Sequence, residues 1–199
     1  SVQITQPTQL VSAIGSSTNV ACFGQTNGAA SILVNGGTPN YTYTWTPSLQ
    51  TSTIMVGVGA NSYTCNITDG NGCVSSSSVV ISQPQALVFS ATSFTNVSCF
   101  GGSNGQISTT VQGGTVPVYN YSWTPNEPPN GFINNLPAGG YSLTVTDGNN
   151  CSINTSFTII EPSVLTSTYT SLPATCGLSS GSATVTVGGG TPLYNISWN

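Results

Sequence analysis

GGTPNYTYTWTP, residues 36–47, decides how this chain is read. Tyr41, Tyr43 and Trp45 alternate with Thr42, Thr44 and Thr46. That is a period of two, the signature of a strand with one face buried and the other wet. The same segment returns as GGTVPVYNYSWTP at 113–125 and as GGTPLYNISW at 189–198. In the second copy Tyr119, Tyr121 and Trp123 take the inward positions, and in the third Tyr194, Ile196 and Trp198 do.

The repetition extends outward from there. CFGQTNG at 22 recurs as CFGGSNG at 99 and CGLSSG at 176. YTCNITDGNGC (63–73) recurs as YSLTVTDGNNC (141–151), and VVISQP (79–84) as FTIIEP (157–162). VQITQP at 2–7 matches that last element, so residues 1–7 read as the tail of a preceding copy. The expected organisation is whole repeats at 8–84 and 85–162, with 163–199 the front part of a further one. Other strands alternate too: Tyr63, Cys65 and Ile67 point inward, as do Tyr141, Leu143 and Val145. Gly-Gly, Asp-Gly, Asn-Gly and Pro interrupt the runs at turn spacing, and no segment shows a helical period. Six or seven strands per repeat predict an all-β fold of tandem immunoglobulin-like β-sandwiches. Tyr63 and Tyr141, each opening a late strand, resemble a tyrosine corner. The expected core holds Tyr43, Trp45, Tyr63, Cys65, Tyr121, Trp123, Tyr141 and Trp198. The alternative for some aromatics is an exposed platform for glycan. The joints SQPQAL (82–87) and IEPSVL (160–165) are short and carry Pro, which predicts a stiff rod.

Composition narrows the function. The 199 residues include no Lys, Arg or His, and only four Asp or Glu: Asp69, Glu127, Asp147 and Glu161. Binding to nucleic acid or to anionic membranes needs cations the chain lacks. No His or Lys base and no recurring carboxylate pair is available for catalysis, so no enzyme and no cofactor is expected. Edge strands usually carry guarding charges, particularly Lys. Here that guard is missing, and contacts with neighbouring repeats, sister chains or O-linked glycans would have to cover the edges.

Residues 96–152, NVSCFGGSNGQISTTVQGGTVPVYNYSWTP through LPAGGYSLTVTDGNNCS, resemble the SprB-type repeat of Bacteroidota cell-surface adhesins. The resemblance rests on Cys-Phe-Gly-Gly-Ser-Asn-Gly, Gly-Gly-Thr, Tyr-x-Tyr-x-Trp, Leu-Pro-Ala-Gly-x-Tyr and Val-Thr-Asp-x-x-x-Cys together, and covers both whole repeats and the partial one. It implies a very long secreted adhesin on the bacterial surface, exported by type IX secretion through a signal beyond this segment. Gliding motility is the best-known setting of such proteins. The absence of Lys and Arg is a departure from the family.

The six cysteines lie at 22, 65, 73, 99, 151 and 176. The second repeat has only Cys99 and Cys151, so these are expected to bond, and their counterparts Cys22 and Cys73 likewise. Cys65 takes the place of Leu143 and reads as a small core residue. Disulfides place the chain in an oxidising, extracellular setting. Dispersed cysteines without His argue against zinc. Asp69 and Asp147 read as turn residues. The alternative is a calcium ligand at a joint, completed by backbone carbonyls. Three functional readings follow: a disulfide-locked stalk that projects or transmits force to an adhesive region, repeats that each grip surface polysaccharide, or a self-assembling filament or sheath subunit.

Overall fold

The computed structural model describes residues 2–3, 5–116 and 118–198. Ser1 and Ile4 of the expected 1–7 tail, Pro117, and Asn199 of the expected 163–199 segment lie outside the described residues.

The first copy supplies β1 (Val11–Thr18), β2 (Gly28–Asn35), β3 (Thr42–Thr46), β4 (Ile54–Val58), β5 (Asn61–Thr68) and β6 (Val74–Ile81). They form two three-stranded sheets, ordered β1-β2-β4 and β3-β5-β6. In the second sheet Trp45 lies opposite Cys65 and Tyr43 opposite Ile67, while Tyr63 faces Val79. Residues from both sheets meet in one core: Ala30, Ile32, Met55 and Val58 from the first, Trp45, Tyr63, Cys65, Ile67 and Ile81 from the second. That shared interior makes the pair of sheets a sandwich. Tyr43 is half-buried and packs against this core. The inward Trp keeps its indole N–H satisfied, with Nε1 donating to Ser52 O at 3.0 Å. Serine hydroxyls close the seam between β1 and β6, where Ser12 Oγ lies 2.9 Å from Ser75 Oγ.

The second copy repeats the set as β7 (Gln85–Thr95), β8 (Gly105–Gly114), β9 (Asn120–Thr124), β10 (Phe132–Leu136), β11 (Gly139–Thr146) and β12 (Ser152–Ile159). Its sheets are ordered β10-β8-β7 and β12-β11-β9. Ile107, Trp123, Ile133, Leu136, Tyr141, Leu143 and Ile159 are buried, and the Trp123 and Phe157 rings lie 6.1 Å apart. Tyr121 is half-buried. Both tyrosine corners form: Tyr63 Oη donates to Gly59 O and Tyr141 Oη to Pro137 O, each at 3.0 Å. A bond from a late-strand Tyr to backbone a few residues upstream is a hallmark of immunoglobulin-like sandwiches.

The third copy contributes β13 (Thr166–Leu172) and β14 (Ser182–Gly188), which among the described residues pair only with each other. This corrects the expectation for Trp198. Trp45 and Trp123 are buried because β5 and β11 lie beside their strands; Trp198 lies outside any strand and is 64% exposed.

By internal contacts the chain forms two compact units, one of residues 1–88, 112–119 and 146–151, the other of 89–111, 120–145 and 152–199. The units do not follow the sequence copies, because the first takes in two loops of the second copy.

Candidate functional site

Three local devices recur in the first two copies, and the site is built from them. The first is the Gly-Gly-Thr cradle. Gly36 and Gly37 both have φ of +70°, a left-handed conformation that glycine tolerates best. A Cβ on Gly36 would lie 2.0 Å from Gln9 O, and one on Gly113 1.9 Å from Ala86 O. The motif is glycine because backbone passes where a side chain would be. Tyr41 Oη and Tyr119 Oη clamp each cradle by donating to Gly36 O and Gly113 O, both at 2.7 Å.

The second device is the Asp-Gly-x-x-Cys turn that follows β5 and β11. Asp69 is 5% exposed. Its Oδ2 accepts from the cradle's Thr38 N at 2.8 Å, and its Oδ1 accepts from Asn71 N at 2.9 Å and Cys73 N at 2.8 Å. Asp147 does the same with Thr115 N, Asn149 N and Cys151 N. The Thr38 N–H, followed by those of Cys73 and Asn71, holds the Asp69 carboxyl below the usual carboxylate range, against the opposing effect of burial. These contacts direct both oxygens of each carboxylate to N–H donors, as anchors of the turn. Among the described residues no cluster of three or more His, Cys, Asp or Glu could hold a metal ion.

The third device is the Cys-Phe-Gly loop. Gln25 N donates to Cys22 O at 3.1 Å, Asn27 Oδ1 accepts from Ala21 N at 3.0 Å, and Gly24 has φ of +75°. Cys99 sits in the same loop, closed by Gly102 N to Cys99 O at 3.0 Å and pinned by Asn104 Oδ1.

These devices settle the cysteines differently from the sequence expectation. Cys22 bonds Cys151, with Cα atoms 5.7 Å apart and 129 residues between them in sequence. The pairs Cys22–Cys73 and Cys99–Cys151 do not form; Cys73, Cys99 and Cys176 are exposed free thiols. The reason is strand length. Val20 N donates to Ser82 O, so the Cys22 loop lies past the end of β6, while Cys73 precedes its start. Nine residues of extended chain span about 30 Å, whereas bonded cysteines need Cα atoms within about 7 Å. Val97 N to Ile160 O places Cys99 past the end of β12, and Cys151 precedes that strand. Each of the first two copies therefore carries its loop cysteine and its turn cysteine at opposite poles, and a bond forms between successive copies. Asn149 Nδ2 adds a hydrogen bond to Ala21 O at 2.9 Å beside it. In the first copy the equivalent Asn71 amide turns to Thr38 Oγ1 instead. The signal available in the sequence was the alternation from Cys151 to Ile159, which already puts a whole strand between the two cysteines.

Cys65 is fully buried and unbonded, opposite Trp45. Burial pushes its thiol pKa up, against a lowering bond with the Thr44 backbone.

Sandwiches, corners and cradles together define a tandem array of immunoglobulin-like β-repeats. The chain belongs to the SprB repeat family, which matches it at residues 14–50, 91–128 and 168–199. It is a repeat segment of the surface-adhesin type. Two solved structures are similar at low identity. One is the Down Syndrome Cell Adhesion Molecule (DSCAM) isoform 1.30.30, N-terminal eight Ig domains: 15% identity, TM-score 0.39, 75% of this chain and 24% of that one. The other is Dpr2 Ig1-Ig2 in complex with DIP-Theta Ig1-Ig3: 14% identity, TM-score 0.32, 79% of this chain and 68% of that one. This chain thus spans about a quarter of the DSCAM chain. No curated protein matches the sequence.

Proposed function

We propose that this chain is part of the stalk of a long secreted bacterial surface adhesin, in which the repeats project an adhesive region and carry load to it. The observation behind this reading is the Cys22–Cys151 bond, which links one sequence copy to the next. A bond inside one repeat would lock that repeat alone, whereas this one spans parts of two. A bond between copies shunts tension past the folded residues between its ends, so that pulling on the chain does not unravel them.

The chemistry of the surface fits the same role. Four carboxylates and no Lys, Arg or His leave a hydroxyl- and amide-rich exterior with little dependence on salt. The chain offers trypsin-like proteases no Lys or Arg to cleave after. The setting is extracellular, on the cell surface, and the chemistry non-catalytic. Gliding motility and type IX export follow from the family resemblance.

The reading is tested on intact cells. Antibody to these repeats should label unpermeabilised cells, and deleting repeats should shorten the surface filaments in electron micrographs while leaving attachment by the distal region. Unlabelled intact cells would refute a surface stalk. Selective binding of the purified chain to a polysaccharide on a glycan array would transfer the adhesive role to the repeats themselves.

A further inference from the structure

One open sheet edge of the first copy is closed by a side chain. Among the described residues β4 pairs with β2 alone, so its other side is an edge. An edge strand presents N–H and C=O groups to which another chain can pair. At Val56 one residue takes both groups: Val56 N donates to Gln50 Oε1 at 3.0 Å, and Gln50 Nε2 donates to Val56 O at 2.8 Å. Two residues back along the same strand, Ser52 Oγ donates to Ile54 O. The Gln50 carboxamide thus supplies one donor and one acceptor, as the main chain of a neighbouring strand does. Its own main chain is held separately, Gln50 O accepting from Trp45 N at 2.8 Å.

The surface flanking this edge is apolar. Residues 53–58, TIMVGV, carry no charge and no Pro, and four of the six are β-branched. Such a segment pairs readily with copies of itself. Ile54 and Val56 are 54% and 57% exposed, and Leu33, on the same face of β2, is 62% exposed. The second copy differs at each of these points. Pro128 stands in the place of Gln50, between Glu127 and Pro129. A charge and prolines are the usual guards of an edge. Thr110 and Asn134 stand in the places of Leu33 and Val56, and Thr110 Oγ1 lies 3.0 Å from Ser90 Oγ. The copy with the apolar edge is the copy that carries the amide.

We infer that Gln50 is an edge guard, occupying on β4 the place that β4 of a second copy of this chain takes when the amide is absent. An antiparallel pair centred on Val56 exchanges Val56 N–H and C=O between the two chains. Those are the same two groups that Gln50 satisfies, and the pair also covers Ile54, Val56 and Leu33. The hydrogen bonds are equal in number on the two sides of the exchange. The side chain wins because it is tethered beside its site and a second chain is not. The inference rests on the geometry of β4 and stands whether or not the stalk reading holds.

The test is the oligomeric state of the full chain with Cys22–Cys151 intact. Cys73, Cys99 and Cys176 are first alkylated, so that only non-covalent pairing is read. Gln50→Ala removes the guard. Gln50→Met removes its polar atoms while keeping the stem, so the local packing is retained. In sedimentation velocity over a concentration series, wild type should stay monomeric and both variants should move to twice its mass. The Val56 amide should exchange hydrogen faster than wild type in dilute Gln50→Met and slow again as the variant is concentrated. Adding Ile54→Glu to either variant should restore the monomer by placing like charges across the pair. A folded Gln50→Met or Gln50→Ala chain that stays monomeric would overturn the inference. So would a dimer that survives Ile54→Glu, or wild type pairing as readily as the variants. Loss of the fold in both variants would also overturn it, by assigning the amide to stability instead of to the edge.

Discussion

Pulling the chain by its two ends with Cys22–Cys151 intact and then reduced gives two different unfolding lengths. The bond spans 129 residues whose ends are held with Cα atoms 5.7 Å apart. Fully extended chain reaches at most about 3.3–3.6 Å per residue, so the bond hides roughly 430 Å of contour length. The oxidised chain should extend only through the residues outside Cys22 and Cys151. Adding a reductant under constant force should release the hidden length in one bond-breaking event, followed by unfolding of the repeats. Intra-repeat bonding would behave differently: loops of 51 and 52 residues would each release only about 175 Å, in two separate events. The Cys22→Ser, Cys151→Ser double variant should unfold over the full length from the start. Without force, the same bond should add about 5 kcal/mol to stability by the chain-entropy account of a loop this long. Two releases of the shorter length, or extension unchanged by reduction, would refute the argument that strand length keeps the two cysteines of a repeat apart.

Acid should weaken the first unit through Asp69. Its carboxyl titrates lower in the fold than in the unfolded chain, so its stabilisation is complete above the ordinary carboxylate range, near pH 4, and is lost as pH falls through the lower folded value. Thermal unfolding followed between pH 7 and 2 should show that decline, and Asp69→Asn should flatten it. The three exposed thiols should react with a maleimide at once, while Cys65 should react only as fast as the chain unfolds, measured by labelling against denaturant. Gly36→Ala should destabilise the first repeat by roughly 1–3 kcal/mol, since it combines a left-handed backbone with a clash on Gln9 O; chemical denaturation reads this directly. Trp123→Ala should cost about 3–5 kcal/mol and unfold the second repeat first.

Strands, turns and repeats were readable because they are local. Tyr41 to Trp45 declares its buried face by alternation alone, and the tyrosine corner joins residues four apart in sequence. The copies at 22 and 99, or 36 and 113, needed nothing beyond comparison of the chain with itself. The paired roles of Asp69 were half visible. A turn residue could be inferred from Asp-Gly-Asn-Gly, but not the Thr38 N–H it reaches 31 residues away.

The sequence by itself determined the class of fold, the repeat and the inward faces of its strands, because side-chain direction in a strand follows from position modulo two. It also supplied the cysteines and their spacing. Only the tertiary structure decided which of them meet. A count of cysteines within one repeat pairs Cys22 with Cys73. The fold sets Cys22 and Cys73 a strand's length apart, at the two poles of that repeat, and brings Cys151 of the next copy to Cys22. A disulfide depends on where Cα atoms lie in space, and that position is fixed by how strands far apart in sequence pack into the sheets of each copy.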